Sequence, residues 1–392
     1  MINNFKCNVC NRNDVEEIIR LDNLPITGVY RKRGGKITIE NYDQSLLLCK
    51  RCGHSKLSHI LPSEKLYSET YSFRTSQSTT AKKAADFFLQ FIEKTFEGVP
   101  FNNIVEFGCN DGYILKKLKA KERNLLGVDL IWAGKEEEFE DNEIRISGKS
   151  IEEVNFTSFF DKKPEFIYAC HTLEHIAEPY SLIKTLYEKT DDTTIFALEF
   201  PCFDVLNENM RFDQIFHQHI NYFTTASVKY LLDSLGAELI DYTINYNHWG
   251  SLIVVFKKRG NIRENMRLIK GTVDIEEVKS RYRIFQEYMK QTAYLIDKSK
   301  KENLYGYGAA LMVPILGYHL DTNFDVLNGI IDDDPNKVGL SYLNLPVEIK
   351  SGNEVVFSDS TILLTALDNR RVIIKRLYEL SPKKIINPIP LL

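Results

Sequence analysis

Between residues 103 and 129 the hydrophobic pattern of the chain changes period. Ile104 and Val105 open a short apolar run that leads into Glu106-Phe107-Gly108-Cys109-Asn110-Asp111-Gly112, after which Ile114, Leu115 and Leu118 return at helical spacing. That order predicts a strand, a tight glycine turn and a helix. Leu125 to Val128 reads as a second strand, and it ends in Asp129. Upstream, Ala84, Ala85, Phe88, Phe91 and Ile92 fall on one helix face that ends near Gly98-Val99-Pro100. Downstream, Phe166 to Cys170 and Thr194 to Phe200 are further apolar strands, the latter closed by Pro201, and another strand ends at Phe256. From Val273 to Lys298 a single long helix carries Val278, Tyr282, Phe285, Met289, Thr292 and Ile296 on one side. Leu304 to Ala310, with Gly306, Tyr307 and Gly308, starts a second strand-glycine-helix unit, and strands follow at 329–334, 361–366 and 384–388. Strands alternating with helices define an α/β protein.

Length turns this pattern into a division of labour. At 392 residues the chain exceeds one ordinary core. The expected units are 1–66, 67–258, connecting helices over 259–303, and 304–392. A hydrophobic fraction of 43% and a charged fraction of 27% are those of a globular protein. A net charge of -4 with no concentrated basic face argues against nucleic acid as partner. No apolar run is long enough to cross a bilayer, and no signal core precedes Cys7, so the expected location is the cytoplasm. No pattern speaks to oligomeric state.

Three groups of residues carry candidate chemistry. Cys7-Asn8-Val9-Cys10 and Cys49-Lys50-Arg51-Cys52 form two C-x-x-C knuckles. Four thiolates close a tetrahedral zinc site with no open position for catalysis. The long gap between the knuckles requires an inserted hairpin, for which Gly34-Gly35 and the alternating Lys36 to Ile39 are suited. The glycine loop has Asn110 two residues after Gly108, where a dinucleotide fingerprint G-x-G-x-x-G has glycine, and is acidic at Glu106 and Asp111. It suits a cationic ligand without phosphate, such as S-adenosylmethionine (SAM), with Asp129 placed to hold the ribose hydroxyls. Tyr67 to Ser78 reads as a polar, aromatic loop over that site.

The third group is histidine-rich. His171-Thr172-Leu173-Glu174-His175 matches an inverted zinc-protease motif, but it follows a strand directly instead of lying on a helix. His171 is therefore expected to face the ligand and His175 to pack. His217-Gln218-His219, in extended chain, would turn both rings to one side. With no third metal ligand evident, general base chemistry is the expected role.

With these segments in view, the chain resembles the SAM-dependent sugar C-methyltransferases acting on nucleotide-linked 4-keto deoxysugars. The resemblance runs nearly end to end. It covers the four cysteines, the Tyr71 to Ser78 segment, Glu106 to Gly112, His171 to His175, Glu199-Phe200-Pro201, Phe212 to Phe223, and His248-Trp249-Gly250-Ser251-Leu252. It implies a zinc-binding N-terminal domain, a central Rossmann-like SAM domain and a second, C-terminal Rossmann-like domain that closes over the acceptor. It further implies SAM contacts from Glu106, Gly108, Asn110, Asp111, Gly112, Asp129 and His171. Catalysis would fall to His219 as base with His217 and Tyr222 beside it. A nucleotide sugar would be held by Tyr71, Phe216, Gln218, His248, Gly306, Tyr307 and Gly308. The family pattern F-D-x-I-Y-H-E-H-x-x-Y-F is altered here to Phe216 and Gln218, and H-G-G-S-L-R to His248-Trp249-Gly250-Ser251-Leu252-Ile253. Methylation of oxygen or nitrogen on a related acceptor, or binding without turnover, are the alternatives these departures leave open.

Overall fold

The computed structural model describes residues 2–3, 6–32, 34–66, 74–258 and 273–389. Tyr71 lies outside them. The middle of the chain is a seven-stranded sheet: β1 (Asn103–Phe107), β2 (Asn124–Val128), β3 (Ile144–Ser147), β4 (Phe166–Cys170), β5 (Ile195–Pro201), β6 (Glu238–Asn245) and β7 (Ser251–Lys257). Their order across the sheet is β6-β7-β5-β4-β1-β2-β3. β7 runs antiparallel to both neighbours, and the remaining pairs are parallel. Near-continuous apolar strands fit a sheet covered on both faces. The helix Thr79–Thr95 buries Ala81, Ala84, Ala85, Phe88 and Ile92, and Ser78 caps it by accepting from the Ala81 amide. β1 lies between β2 and β4, so connections depart from it in opposite directions. Ligands of open α/β sheets bind in the crevice at such a point.

The N-terminal sheet is antiparallel and four-stranded, in the order Asn221–Tyr222, Ser55–Leu57, Asn41–Cys49, Val15–Pro25. Its first member, Asn221–Tyr222, comes from the middle of the chain. Residues 1–66 thus do not complete their own sheet; Asn221 pairs with Lys56 and Tyr222 with Ser55. The insertion between the cysteine pairs is a long hairpin formed by Val15–Pro25 and Asn41–Cys49. Lys36 to Ile39, expected to alternate as strand, are not strand. Ile37 and Ile39 are 41% and 70% exposed, so pairing there would bury no apolar face. Tyr30–Lys32 instead pairs with Leu340–Tyr342 of the C-terminal unit.

That unit is a five-stranded parallel sheet with Asn303–Tyr307 at its centre. The helix Ile275–Ser299 buries Thr292 and sets Val278, Phe285, Met289 and Ile296 in one cluster with Leu21 and Leu46 of the N-terminal sheet and Leu304 and Ile315 of the C-terminal unit. A buried ion-pair network closes the other side. Arg211 binds Asp213 at 2.8 Å and Asp368 at 2.7 Å. No described helix is long and apolar enough to cross a membrane.

Candidate active site

The glycine loop after β1 is shaped by backbone conformations that favour glycine. Gly108 and Gly112 have φ of +71° and +69°, and Asn110 adopts +49°. A Cβ at Gly108 would strike the Thr172 side chain, and one at Gly112 would lie 2.6 Å from Phe139. The loop is closed by the end of β2: the Asn110 amide donates to Asp129 Oδ2 at 2.8 Å. Trp132 Nε1 donates to the Asn110 carbonyl at 2.7 Å. Residues 74–77 lie across this loop, because the Thr75 and Ser76 amides donate to the Asn110 and Asp111 side chains at 3.2 and 3.0 Å.

Glu106 departs from the sequence expectation. It is 3% exposed and accepts from the Tyr168 hydroxyl at 3.0 Å. Burial, with the Asp129 and Asp111 charges added, pushes its carboxyl well above the ordinary range. It therefore lies beneath the loop, whereas Asp111 and Asp129 are only half-buried.

His171 follows β4 directly, in the left-handed region at φ +53°. A non-glycine residue held there stores strain of the kind that clusters at functional sites. Its Nδ1 lies 3.4 Å from Glu174 Oε1, and its Nε2 lies 3.0 Å from His248 Nδ1 and 3.8 Å from Glu199 Oε1. Burial alone would lower its pKa, but the two carboxylates overcome that and hold it at about 9. His171 is thus the imidazolium of the site, and His248, pushed well down by burial and by that neighbour, stays neutral. The sign gives a prediction. A group raised from 6.5 to about 9 on folding contributes stability that is complete below pH 6.5 and is lost as pH rises through about 9. The expected contribution is on the order of 3 kcal/mol. Urea unfolding between pH 6 and 10 should show that decline, and His171→Gln should flatten it.

The H-x-H pair is not extended. The His219 amide donates to the Phe216 carbonyl at 3.2 Å, and this turn sends the two rings apart. His217 faces the N-terminal domain; its Nε2 donates to the Leu24 carbonyl at 3.0 Å, and Gln44 donates to its Nδ1 at 3.4 Å. With both nitrogens engaged there, it is a packing residue. Gln218 likewise donates to the Thr27 carbonyl at 2.9 Å. The Tyr222 hydroxyl accepts from the Phe216 amide at 3.1 Å and donates to the Gln214 carbonyl at 3.4 Å, which staples the loop. Of the three residues assigned to catalysis, His219 enters the histidine cluster, Tyr222 stands beside it with ring centroids 6.4 Å apart, and His217 turns away. The His219 ring lies 4.1 Å from Phe216, 4.9 Å from His175 and 5.2 Å from Trp249.

His175 was expected to pack on a helix. It closes the short turn Leu173–His175, faces His219, and donates from Nδ1 to the Gln218 carbonyl at 2.7 Å. Sequence reasoning also missed Glu174, Glu199 and Ser251. The only signal for Glu174 was its place three residues after His171, and for Glu199 its position at the end of an apolar strand, in register with Cys170. Glu174, His175 and His219 bring ligand-type atoms within 4.8 Å of one another.

The C-terminal glycine loop repeats the first one. The Ala309 amide donates to Asp332 Oδ2 at 2.6 Å, as Asn110 does to Asp129. Tyr307 donates to Asp333 at 3.0 Å, and Tyr30 to the Ala309 carbonyl at 2.9 Å. Gly306 and Tyr307, in the central strand of the C-terminal sheet, and Gly308 after it belong to the unit that Asp368 joins to Arg211. In the N-terminal domain the four cysteine sulfurs converge, with Cys7 to Cys52 and Cys10 to Cys49 both 3.5 Å. Zinc–sulfur bonds of ~2.3 Å place tetrahedral sulfurs roughly 3.8 Å apart, so the set fits the ion.

An open α/β sheet with an acidic glycine loop at its switch point, beside a cluster of buried histidines, is a frame for a small-molecule site, and the comparisons narrow its class. Residues 77–242 match the family model described as "Methyltransferase domain", and residues 7–67 match "Putative zinc binding domain". The middle of the chain thus matches a methyltransferase domain and the segment before it a zinc-binding one. The chain is similar to C-methyltransferase NovU of Streptomyces niveus, 23% identical over 260 residues, covering 64% of this chain and 60% of that protein. The match thus spans less than two thirds of the relative's length, and it agrees with the resemblance to C-methyltransferases read from the motifs. Among solved structures, PH0226 protein from Pyrococcus horikoshii OT3 is similar over 51% of this chain and all of its own (100%), at 12% identity and a TM-score of 0.39. N-methyltransferase NodS from Bradyrhizobium japonicum WM9 with S-adenosyl-L-homocysteine is similar over 49% and 94%, at 10% identity and 0.36. Scores at that level say nothing of the reaction.

Proposed function

We propose that the enzyme transfers a methyl group from SAM to a carbon beside a ketone in a nucleotide-linked deoxysugar, with His219 as base. The observation that carries this reading is the convergence of His219, Glu174, His171 and His248 beside the glycine loop. A buried neutral imidazole beside the crevice of an acidic glycine loop supports the reading. Bound in that crevice, SAM supplies a sulfonium-activated methyl group. Asp129, at the end of β2, holds the ribose hydroxyls. Glu174 and Glu199, both buried, flank His171 at 3.4 and 3.8 Å.

His219 removes the proton beside the ketone. The C–H bonding pair becomes the enolate, whose carbon attacks the methyl, and the departing pair stays on sulfur. Burial and three neighbouring histidines hold His219 well below its ordinary pKa, so it is unprotonated and ready at neutral pH. Phe216 against the His219 ring and Gln218 turned toward Thr27 remove a hydroxyl and a carboxylate from this corner. They support a changed acceptor, with methylation of oxygen or nitrogen as the second reading. Ile253, in place of the family's arginine, is fully buried in β7.

Two measurements test the proposal. Incubation with SAM and a panel of nucleotide-linked keto sugars should yield one added methyl by mass spectrometry. Asp129→Ala should weaken SAM binding by about 1.5–3 kcal/mol, the worth of charge-assisted hydrogen bonds. In calorimetry, tight NAD binding with none for SAM would refute the cofactor.

A further inference from the structure

We propose that Glu174 is the positioning residue behind the base: its carboxylate holds the His219 ring and stabilises the imidazolium that forms when His219 takes the acceptor's proton. This rests on the carbon-methylation reading and assigns a role to a residue outside the motif positions that reading uses.

Glu174 is 1% exposed, and among the described residues neither of its carboxylate oxygens has a hydrogen-bond partner. A buried carboxylate left in that state is costly and rare, and it requires an explanation. Three observations supply one. Oε1 lies 3.4 Å from His171 Nδ1 and 4.0 Å from His219 Nε2, so one oxygen stands between the two rings. The segment carrying it is fastened to the loop carrying His219: the Ile220 amide donates to the Glu174 carbonyl at 2.8 Å, and His175 donates to the Gln218 carbonyl at 2.7 Å. The residue preceding His219 is Gln218, whose amide is spent on Thr27, so the charge behind the base must come from elsewhere.

The proton balance is that of a carboxylate-backed histidine. With Nε2–H turned to Glu174, Nδ1 takes the proton from carbon, and the ring becomes cationic opposite a fixed anion. The 4.0 Å separation is that of an ion pair, and hydrogen bonds of this type are long before substrate binds. The groups facing His219 are Glu174, His171, His175, His248 and Tyr222; those facing Glu174 are His171, His175, His219 and Tyr222. Glu174 is the one carboxylate in that set. The same atoms could gather a divalent cation, which the test separates.

Glu174→Gln keeps shape and removes charge; Glu174→Asp keeps charge and shortens reach. Ring titration by NMR without acceptor should show the His171 and His219 midpoints about 1–3 pH units lower in the Gln variant and partly restored in the Asp variant. Proton exchange from the acceptor carbon into deuterated solvent should fall by up to ~10⁴-fold in the Gln variant at unchanged acceptor KM, as when a carboxylate behind a histidine base is neutralised. An unchanged His219 titration would overturn the proposal, as would a metal ion beyond the cysteine-bound one that is lost with Glu174→Gln. A wild-type enzyme that exchanges no acceptor proton refutes the carbon-methylation reading instead, and the ring titration still decides whether Glu174 holds His219.

Discussion

His219→Asn should slow methyl transfer by ~10²–10⁴-fold, the usual loss when a general base is removed. The expected loss lies in kcat, because asparagine keeps a polar side chain among Phe216, His175 and Trp249 but cannot take up a proton. His217→Asn should instead lower thermal stability with little effect on the chemical step, since its ring nitrogens bind Leu24 and Gln44 of the N-terminal domain. The contrast between two histidines two residues apart is the sharpest test of the site. Near-normal transfer by His219→Asn would remove it from the mechanism; loss of the chemical step in His217→Asn without loss of stability would exchange their roles.

Cys49→Ser combined with Cys52→Ser should abolish stoichiometric zinc and remove several kcal/mol or more of a total stability typically ~5–15 kcal/mol. The reason is connectivity. Asn8, between the first two cysteines, and His54, after the last two, both donate to Asn221 Oδ1, at 2.9 and 3.0 Å. Asn221 in turn donates to the Ile176 carbonyl at 2.6 Å, next to His175. The knuckles therefore brace the two segments that carry His175 and His219, although the ion has no open position for chemistry. Metal analysis together with thermal melting decides the matter. Full zinc retention, or an unchanged melting temperature, would contradict it.

The period changes around β1 and the long helix were legible because each residue's neighbours in sequence set them. The cysteine knuckles were legible because two close pairs suffice to state a ligand set. What escaped was set by contacts distant in sequence. The turn at 216–219 hid the divergence of His217 and His219, since the period-2 rule applies only to extended chain. Glu174 was hidden because its neighbours come from β4, the 216–222 loop and the turn it shares with His175. β6 escaped because a register shift between Leu239 and Asp241 breaks its alternation. The pairing of Tyr30–Lys32 with Leu340–Tyr342 could not be read from either segment alone.

The central claim is that the new bond joins carbon to carbon. Enzyme supplied with SAM carrying a 13C-labelled methyl and a nucleotide-linked keto sugar should give a product whose labelled methyl couples to a ring carbon in two-dimensional NMR, with the proton beside the ketone lost. A labelled methyl bound to oxygen or nitrogen, with that proton retained, would contradict the account.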